Sequence, residues 1–176
     1  YEQLLLIILV YLISSILIAL PYYLSNYQIT FFDSVFESFS GITSTGFSIF
    51  ENIKYLDPTL ILWRSSSQWI GGLYFLIFLI IIFSNNQYNF RLNHLVFTGN
   101  MGPFSKSNTK NILLQIFLVY SLLTLIIFII LNIGNVRLFN SLNLSMTIIS
   151  NGGFLPTNSL DQIFLKDDRY ILAITL

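Results

Sequence analysis

The sequence predicts an all-α membrane protein assembled from repeated units of helix, re-entrant loop and helix, with the second unit truncated. Three observations carry this. First, the 176 residues are 55% hydrophobic and only 9% charged, against about 25% charged in an average soluble domain, and their mean hydropathy is +0.74. Second, three apolar runs approach the roughly 20 residues needed to cross about 30 Å of hydrocarbon. Third, Phe32-Asp33-Ser34-Val35-Phe36-Glu37-Ser38, leading to Ser44-Thr45-Gly46-Phe47, recurs 107 positions later as Phe139-Asn140-Ser141-Leu142-Asn143-Leu144-Ser145, leading to Asn151-Gly152-Gly153-Phe154.

The first apolar run, Leu4 to Leu20, extends a span over about 4–24. No Lys or Arg precedes it and it ends in Leu20-Pro21 without a small-residue cleavage site, so it reads as a retained helix, not a signal. The stretch Pro21 to Thr59 is long for a connection without structure of its own. Within it, Phe32, Val35, Phe36 and Phe39 follow the i, i+3, i+4, i+7 pattern and predict a helix over 31–42, with Thr30 as its N-cap. The second span is Leu60 to Phe83, closing a first unit of residues 1–84. After a connection at 85–110, the second unit (111–176) holds a span over about 112–133, a short helix over 138–149 marked by Leu138, Leu142 and Met146, and the start of another span at Tyr170. Twelve helical residues reach about 18 Å, so neither short helix crosses a bilayer. Each enters and returns. Over Phe32 to Phe47 the offset reproduces Phe32/Phe139, Ser34/Ser141, Ser38/Ser145, Gly46/Gly153 and Phe47/Phe154, more than random pairing would give.

Charge supplies the sidedness. Eight Lys and Arg balance eight Asp and Glu, but Ser84 to Asn111 holds Arg91, Lys106 and Lys110 with no acid. Pro21 to Thr59 holds Asp33, Glu37, Glu51 and Asp57 against Lys54. Basic residues near span ends stay inside, so loop 84–111 is expected to be cytoplasmic and the re-entrant loops to face outward. Around the second loop the signal is weaker, because Arg137, Lys166 and Arg169 stand beside Asp161, Asp167 and Asp168. The absence of cysteine leaves the redox compartment unread. His94 is the single histidine, and with no second soft ligand nearby no transition-metal site is expected. No nucleotide-binding, metalloprotease or nucleophile-elbow motif is present, and the acidic residues sit outside the spans, leaving no intramembrane carboxylate pair for acid–base chemistry.

Thr43-Ser44-Thr45-Gly46-Phe47 and Ser150-Asn151-Gly152-Gly153-Phe154 offer carbonyl and hydroxyl oxygens, the ligands hard cations take, with glycines that allow unusual backbone angles. The C-terminal end of each short helix carries about half a negative charge and favours a cation. Taken singly, each loop is an ordinary turn; paired after matched helices, they point to ion coordination. One loop cannot surround an ion, so several must converge. Arg64 has two readings: it pairs with Glu37 or Asp33 and braces the first short helix, or it snorkels to the headgroups beside Trp63. Gly71-Gly72 is read as allowing close helix packing.

The run Glu37-Ser38-Phe39-Ser40-Gly41-Ile42-Thr43-Ser44-Thr45-Gly46, then Leu62-Trp63-Arg64-Ser65 and Gln68-Trp69-Ile70-Gly71-Gly72, resembles the first pore repeat of Trk-type potassium transporter membrane subunits. Phe139-Asn140-Ser141 with Asn151-Gly152-Gly153-Phe154 resembles their second. The resemblance, to the wider Trk/Ktr/HKT superfamily, covers nearly the whole chain. It implies a potassium-channel-like fold of four helix, pore loop, helix units, of which this chain shows the first two as a fragment. By the pairing of their charges, Arg64 and Glu37 are the structural-support residues. The resemblance further implies filter carbonyls from Thr43 to Gly46 and Ser150 to Gly153, and potassium preference from the filter glycines. A multi-pass subunit of the inner or plasma membrane follows from it, homodimeric and in contact with a cytoplasmic nucleotide-binding subunit, with no cofactor and no nucleic acid. Potassium uptake is the expected function. A sodium-permeable relative, a non-conducting assembly subunit and a membrane enzyme stand as the alternatives.

Overall fold

The computed structural model describes residues 2–83 and 106–163; the stretch 84–105, with Arg91 and His94, and the span expected from Tyr170 lie outside the described residues. The described residues are helical, without strands: α1 (Glu2–Tyr23), α2 (Phe31–Ile42), α3 (Pro58–Phe83), α4 (Lys106–Ile133) and α5 (Leu138–Ser150). Leu5–Tyr23 in α1 and Asn111–Ile133 in α4 are long and apolar enough to cross a membrane. At 26 residues α3 is as long, but its first half carries Arg64-Ser65-Ser66-Ser67-Gln68.

Local chemistry explains where α2 begins. The Thr30 side chain accepts from the Asp33 backbone N–H at 3.2 Å, and its hydroxyl donates to the Asp33 carboxylate at 2.6 Å, so one orphan donor is capped and an acid complements the positive end of the helix. The segment then comes back to where it started. Tyr27, just before α2, accepts on its hydroxyl from the Asp57 N–H at 2.7 Å and donates to the Tyr55 carbonyl at 3.0 Å, which ties the entry of α2 to the entry of α3.

Packing places α2 between α1 and α3, and α5 between α3 and α4, so α3 touches all four other helices. The Ser38 hydroxyl donates to the Ser15 carbonyl at 2.7 Å and the Trp63 indole to the Ile18 carbonyl at 3.1 Å, joining α2 and α3 to α1. On the other flank the Tyr120 hydroxyl donates to the Trp69 carbonyl at 3.1 Å and the Trp69 indole to the Thr124 hydroxyl at 3.0 Å. Consecutive glycines on α3 seat the last residues of the two short helices. A methyl on Gly71 would lie 2.0 Å from the Ile42 carbonyl oxygen, and one on Gly72 2.9 Å from the Ser150 Cβ. Because Gly71 and Gly72 fall midway along α3, the C-terminal ends of α2 and α5 both stop about 20 Å from its start.

The interior is polar and the exterior apolar. Ser34, Glu37, Ser38 and Ser40 of α2 are buried, as are Ser141, Asn143, Ser145 and Thr147 of α5, while Leu, Ile and Val side chains of α1 and α4 are exposed along their lengths. Hydrocarbon solvent accounts for that inversion: helices gain little by hiding leucines from lipid, and associate through small residues and hydrogen bonds. The apolar stripe that marks α2 in the sequence is therefore on its outside, with Phe32 84% exposed and Phe36 51%. The helical period is as read; the buried face is the serine face.

Because the methyl of a Gly71→Ala variant would meet backbone and not a flexible side chain, the substitution is expected to destabilise the protein by about 1–3 kcal/mol. A lowered thermal midpoint of the full-length protein in detergent is the readout, and an unchanged midpoint would mean that α2 and α3 are not this close.

Candidate ion-coordinating site

Both short helices end the same way. The Thr45 N–H donates to the Ser40 carbonyl and the Ser44 N–H to the Gly41 carbonyl, each at 3.0 Å; 107 positions on, Gly152 donates to Thr147 at 2.9 Å and Asn151 to Ile148 at 3.1 Å. These paired six-to-one and five-to-two bonds are Schellman closures, which satisfy helix carbonyls that would otherwise lack donors. They require a left-handed residue, supplied by Ser44 at φ +53° and Asn151 at φ +52°. Two residues later the backbone turns left-handed again, at Gly46 (φ +82°) and Gly153 (φ +79°). The repeat seen in sequence is thus a repeat in backbone angles, the second left-handed site falling on glycine in both copies as L-side-chain sterics favour.

The loops meet through those glycines. A methyl on Gly46 would fall 2.4 Å from the Gly152 carbonyl oxygen and 3.3 Å from the Gly153 Cα. The negative ends of α2 and α5 therefore converge on one place. Thr43, Thr45, Phe47, Asn151 and Gly153 are exposed there, Ser44 and Gly46 are half-buried, and Ser150, Gly152 and Phe154 are buried. The Thr43 hydroxyl bonds to the Phe39 carbonyl and to the Thr45 hydroxyl, both at 2.7 Å. The available donors are backbone carbonyls and hydroxyls, the hard oxygen set that alkali and alkaline-earth cations take.

Arg64 is the buried pair, not the snorkelling residue. Its side chain is 1% exposed and its Nε lies 2.8 Å from Oε1 of Glu37, which is fully buried; Asp33 stays exposed at the entry of α2. Glu37 also accepts from the Ser48 hydroxyl at 3.0 Å and the Ile49 N–H at 2.8 Å, and Arg64 Nη2 donates to the Ser48 hydroxyl at 2.9 Å. Above the guanidinium lies Phe154, with its ring centroid 4.2 Å from Cζ, a cation–π contact that binds the second loop to the first unit. Its counterpart Phe47 is 68% exposed.

One turn beyond Arg64, Gln68 is a site residue that the sequence reading does not single out. Its Nε2 donates to the Gly152 carbonyl, and its Oε1 accepts from the Phe154 N–H at 3.2 Å. The signal available in the sequence was the i, i+4 spacing that puts Gln68 on the Arg64 face of α3. Near the helix entries the loops are joined again, where Asn158 accepts from the Ile53 N–H at 2.7 Å and donates to Asn52 at 3.1 Å.

The two units fill one location with opposite chemistry. At the repeat offset Glu37, Ser48 and Arg64 correspond to Leu144, Leu155 and Ile171. Leu144 is in a buried apolar cluster with Leu131 and Val136, and Leu155 packs against it. Ile171 lies outside the described residues; at the other two positions an apolar cluster stands where the first unit has polar side chains.

A family model described as TrkH, a cation transport protein, matches residues 5–172. This chain belongs to the TrkH family. Among its relatives, an uncharacterized cation transporter of Methanocaldococcus jannaschii is 30% identical over 155 residues, covering 85% of this chain and 31% of that protein. The Trk system potassium uptake protein TrkG of Escherichia coli is 25% identical over 154 residues, covering 84% and 31%, and TrkI of Halomonas elongata is 44% identical over 55 residues, covering 31% and 11%. The chain thus spans about a third of the length of the first two relatives. No solved structure matches it. TrkH-family members are membrane-embedded ion transporters, not enzymes, and the outward leucines and inward serines are those of such a protein.

A triple-mutant cycle tests the Glu37–Ser48–Arg64 unit. Arg64→Ile or Glu37→Leu alone strands a buried charge and is expected to cost about 3–5 kcal/mol. Combining both with Ser48→Leu, which imitates the second unit, should recover most of that loss in thermal unfolding; additive losses would show that the three residues are not coupled.

Proposed function

We propose that this chain forms part of a potassium uptake pathway, in which the loops Thr43 to Gly46 and Ser150 to Gly153 are two sides of a selectivity filter and dehydrated ions pass along their oxygens. The observation that carries the reading is the convergence of two loops with matching backbone angles at the C-terminal ends of α2 and α5. Carbonyls held in this way replace an ion's hydration shell, and their spacing and number select among cations. The buried Arg64 and Glu37 cancel in formal charge, so the field at the loops is that of the helix ends and carbonyls. Support for potassium comes from the glycine in both loops and from relatives whose names carry potassium uptake.

Two loops enclose half of a pathway. Phe47 and the phenylalanine stripe of α2 are exposed, whereas Phe154, the counterpart of Phe47, is covered by Arg64 and Gln68 of α3; in the proposed assembly further units of the same kind close over the exposed face. The basic stretch 84–111 is cytoplasmic in this reading, and the loops open outward across the inner or plasma membrane. A homodimer with a cytoplasmic nucleotide-binding subunit completes the proposal.

In cells lacking potassium uptake, the full-length protein is expected to restore growth at low external potassium. Gly46→Asp and Gly153→Asp, which replace left-handed glycines by charged side chains, should each abolish rescue while the protein reaches the membrane. Intact rescue by either variant would contradict the filter assignment and favour a non-conducting assembly role.

A further inference from the structure

We propose that Gln68 is a positioning residue for ion selection, setting the angle at which the second loop presents the Gly153 carbonyl. This rests on the reading of the loops as the filter and adds a residue that reaches no ion itself. Gln68 is fully buried on α3, and its amide bonds to the loop on both sides of Gly153: Nε2 to the Gly152 carbonyl, Oε1 to the Phe154 N–H. Gly153, between these two anchors, is exposed and left-handed. One bond would leave the peptide free to rock about it; two, on opposite sides of one residue, fix its orientation.

A second observation stands apart from the hydrogen bonds. Gly152 does not adopt a positive φ, so backbone conformation does not demand glycine there. A methyl at that position would lie 2.3 Å from both Cδ and Oε1 of Gln68. A side chain there would push the Gln68 amide off its two bonds, so Gly152 and Gln68 form one fitting made from two units. The equivalent position in the first loop, Thr45, carries an exposed side chain.

The chemistry of the amide is specific. The Gly152 carbonyl needs a donor and the Phe154 N–H an acceptor, and of the uncharged side chains of this length glutamine offers both at one end. A carboxylate only accepts, so Gln68→Glu in its ionised form would face the Gly152 carbonyl with like polarity. Protonated, the same acid has an O–H to donate and restores the pair. Methionine keeps the bulk of glutamine and provides neither bond.

The test uses the full-length protein in cells lacking potassium uptake, with rubidium and sodium uptake measured side by side and normalised to protein in the membrane. Gln68→Met is expected to lower the rubidium-to-sodium uptake ratio by about tenfold, the loss of two buried hydrogen bonds, while sodium uptake persists. Gln68→Glu should give a ratio that approaches wild type at acidic external pH and falls as pH rises, a profile that lost packing alone does not produce. A wild-type ratio in Gln68→Met overturns the proposal, as does a pH-independent Gln68→Glu. Disappearance of both variants from the membrane also overturns it, because Gln68 is then a folding element. Gly153→Asp separates the two levels: if it abolishes uptake while Gln68→Met keeps its ratio, the filter reading stands and the positioning role falls. If Gly153→Asp transports normally, the filter reading falls with it.

Discussion

Backbone that leaves a helix inside a membrane must find partners for its N–H and C=O groups within the protein, since hydrocarbon supplies none. The chain stops two helices at the middle of α3 and meets this constraint by three devices. Schellman closures at Ser44 and Asn151 satisfy the last helix carbonyls. The carboxylate of Glu37 takes up the Ile49 N–H of the first returning segment, and the Gln68 amide takes up the second loop. What these devices leave free is a set of oxygens where the loops meet. That residue of unsatisfied capacity is what a cation can use.

α3 is the member on which both loops depend. Along one face it presents Arg64 to Glu37 and Phe154, Gln68 to Gly152 and Phe154, and Gly71 and Gly72 to the ends of α2 and α5. A helix of the first unit therefore positions the loop of the second, and the unit boundary read from the repeat is not a boundary in packing. At the positions of Glu37 and Ser48 the second unit carries leucine, Leu144 and Leu155, packed in an apolar cluster. A buried pair and an apolar cluster of similar volume are often energetically comparable. What the charged version adds here is the stacking of Phe154 over the guanidinium, a contact that an aliphatic side chain at position 64 does not offer.

Much of the fold was legible because it is local. The period of Phe32, Val35, Phe36 and Phe39 with Thr30 before it gives α2 its observed bounds, and the glycines at the repeat offset mark the left-handed positions. The buried face of α2 was not legible, because the rule that apolar stripes face the core belongs to water. Nor were the left-handed Ser44 and Asn151, though asparagine accepts that conformation more readily than most residues. Gln68 and Gly152 are 84 positions apart, and no periodicity reports a contact at that range. The sequence leaves Arg64 two partners or the headgroups, and three-dimensional placement decides among them: Glu37 faces α3, while Asp33 sits at the exposed entry of α2.

The central claim is that the loops at Gly46 and Gly153 hold a dehydrated cation between them. Anomalous diffraction from crystals of the full-length protein soaked in rubidium addresses it without any variant. A rubidium peak among the carbonyls that the loops Thr43 to Gly46 and Ser150 to Gly153 leave free, Gly153 among them, is the expected result. Rubidium bound elsewhere along the pathway, with those loops well ordered and free of it, would contradict the account.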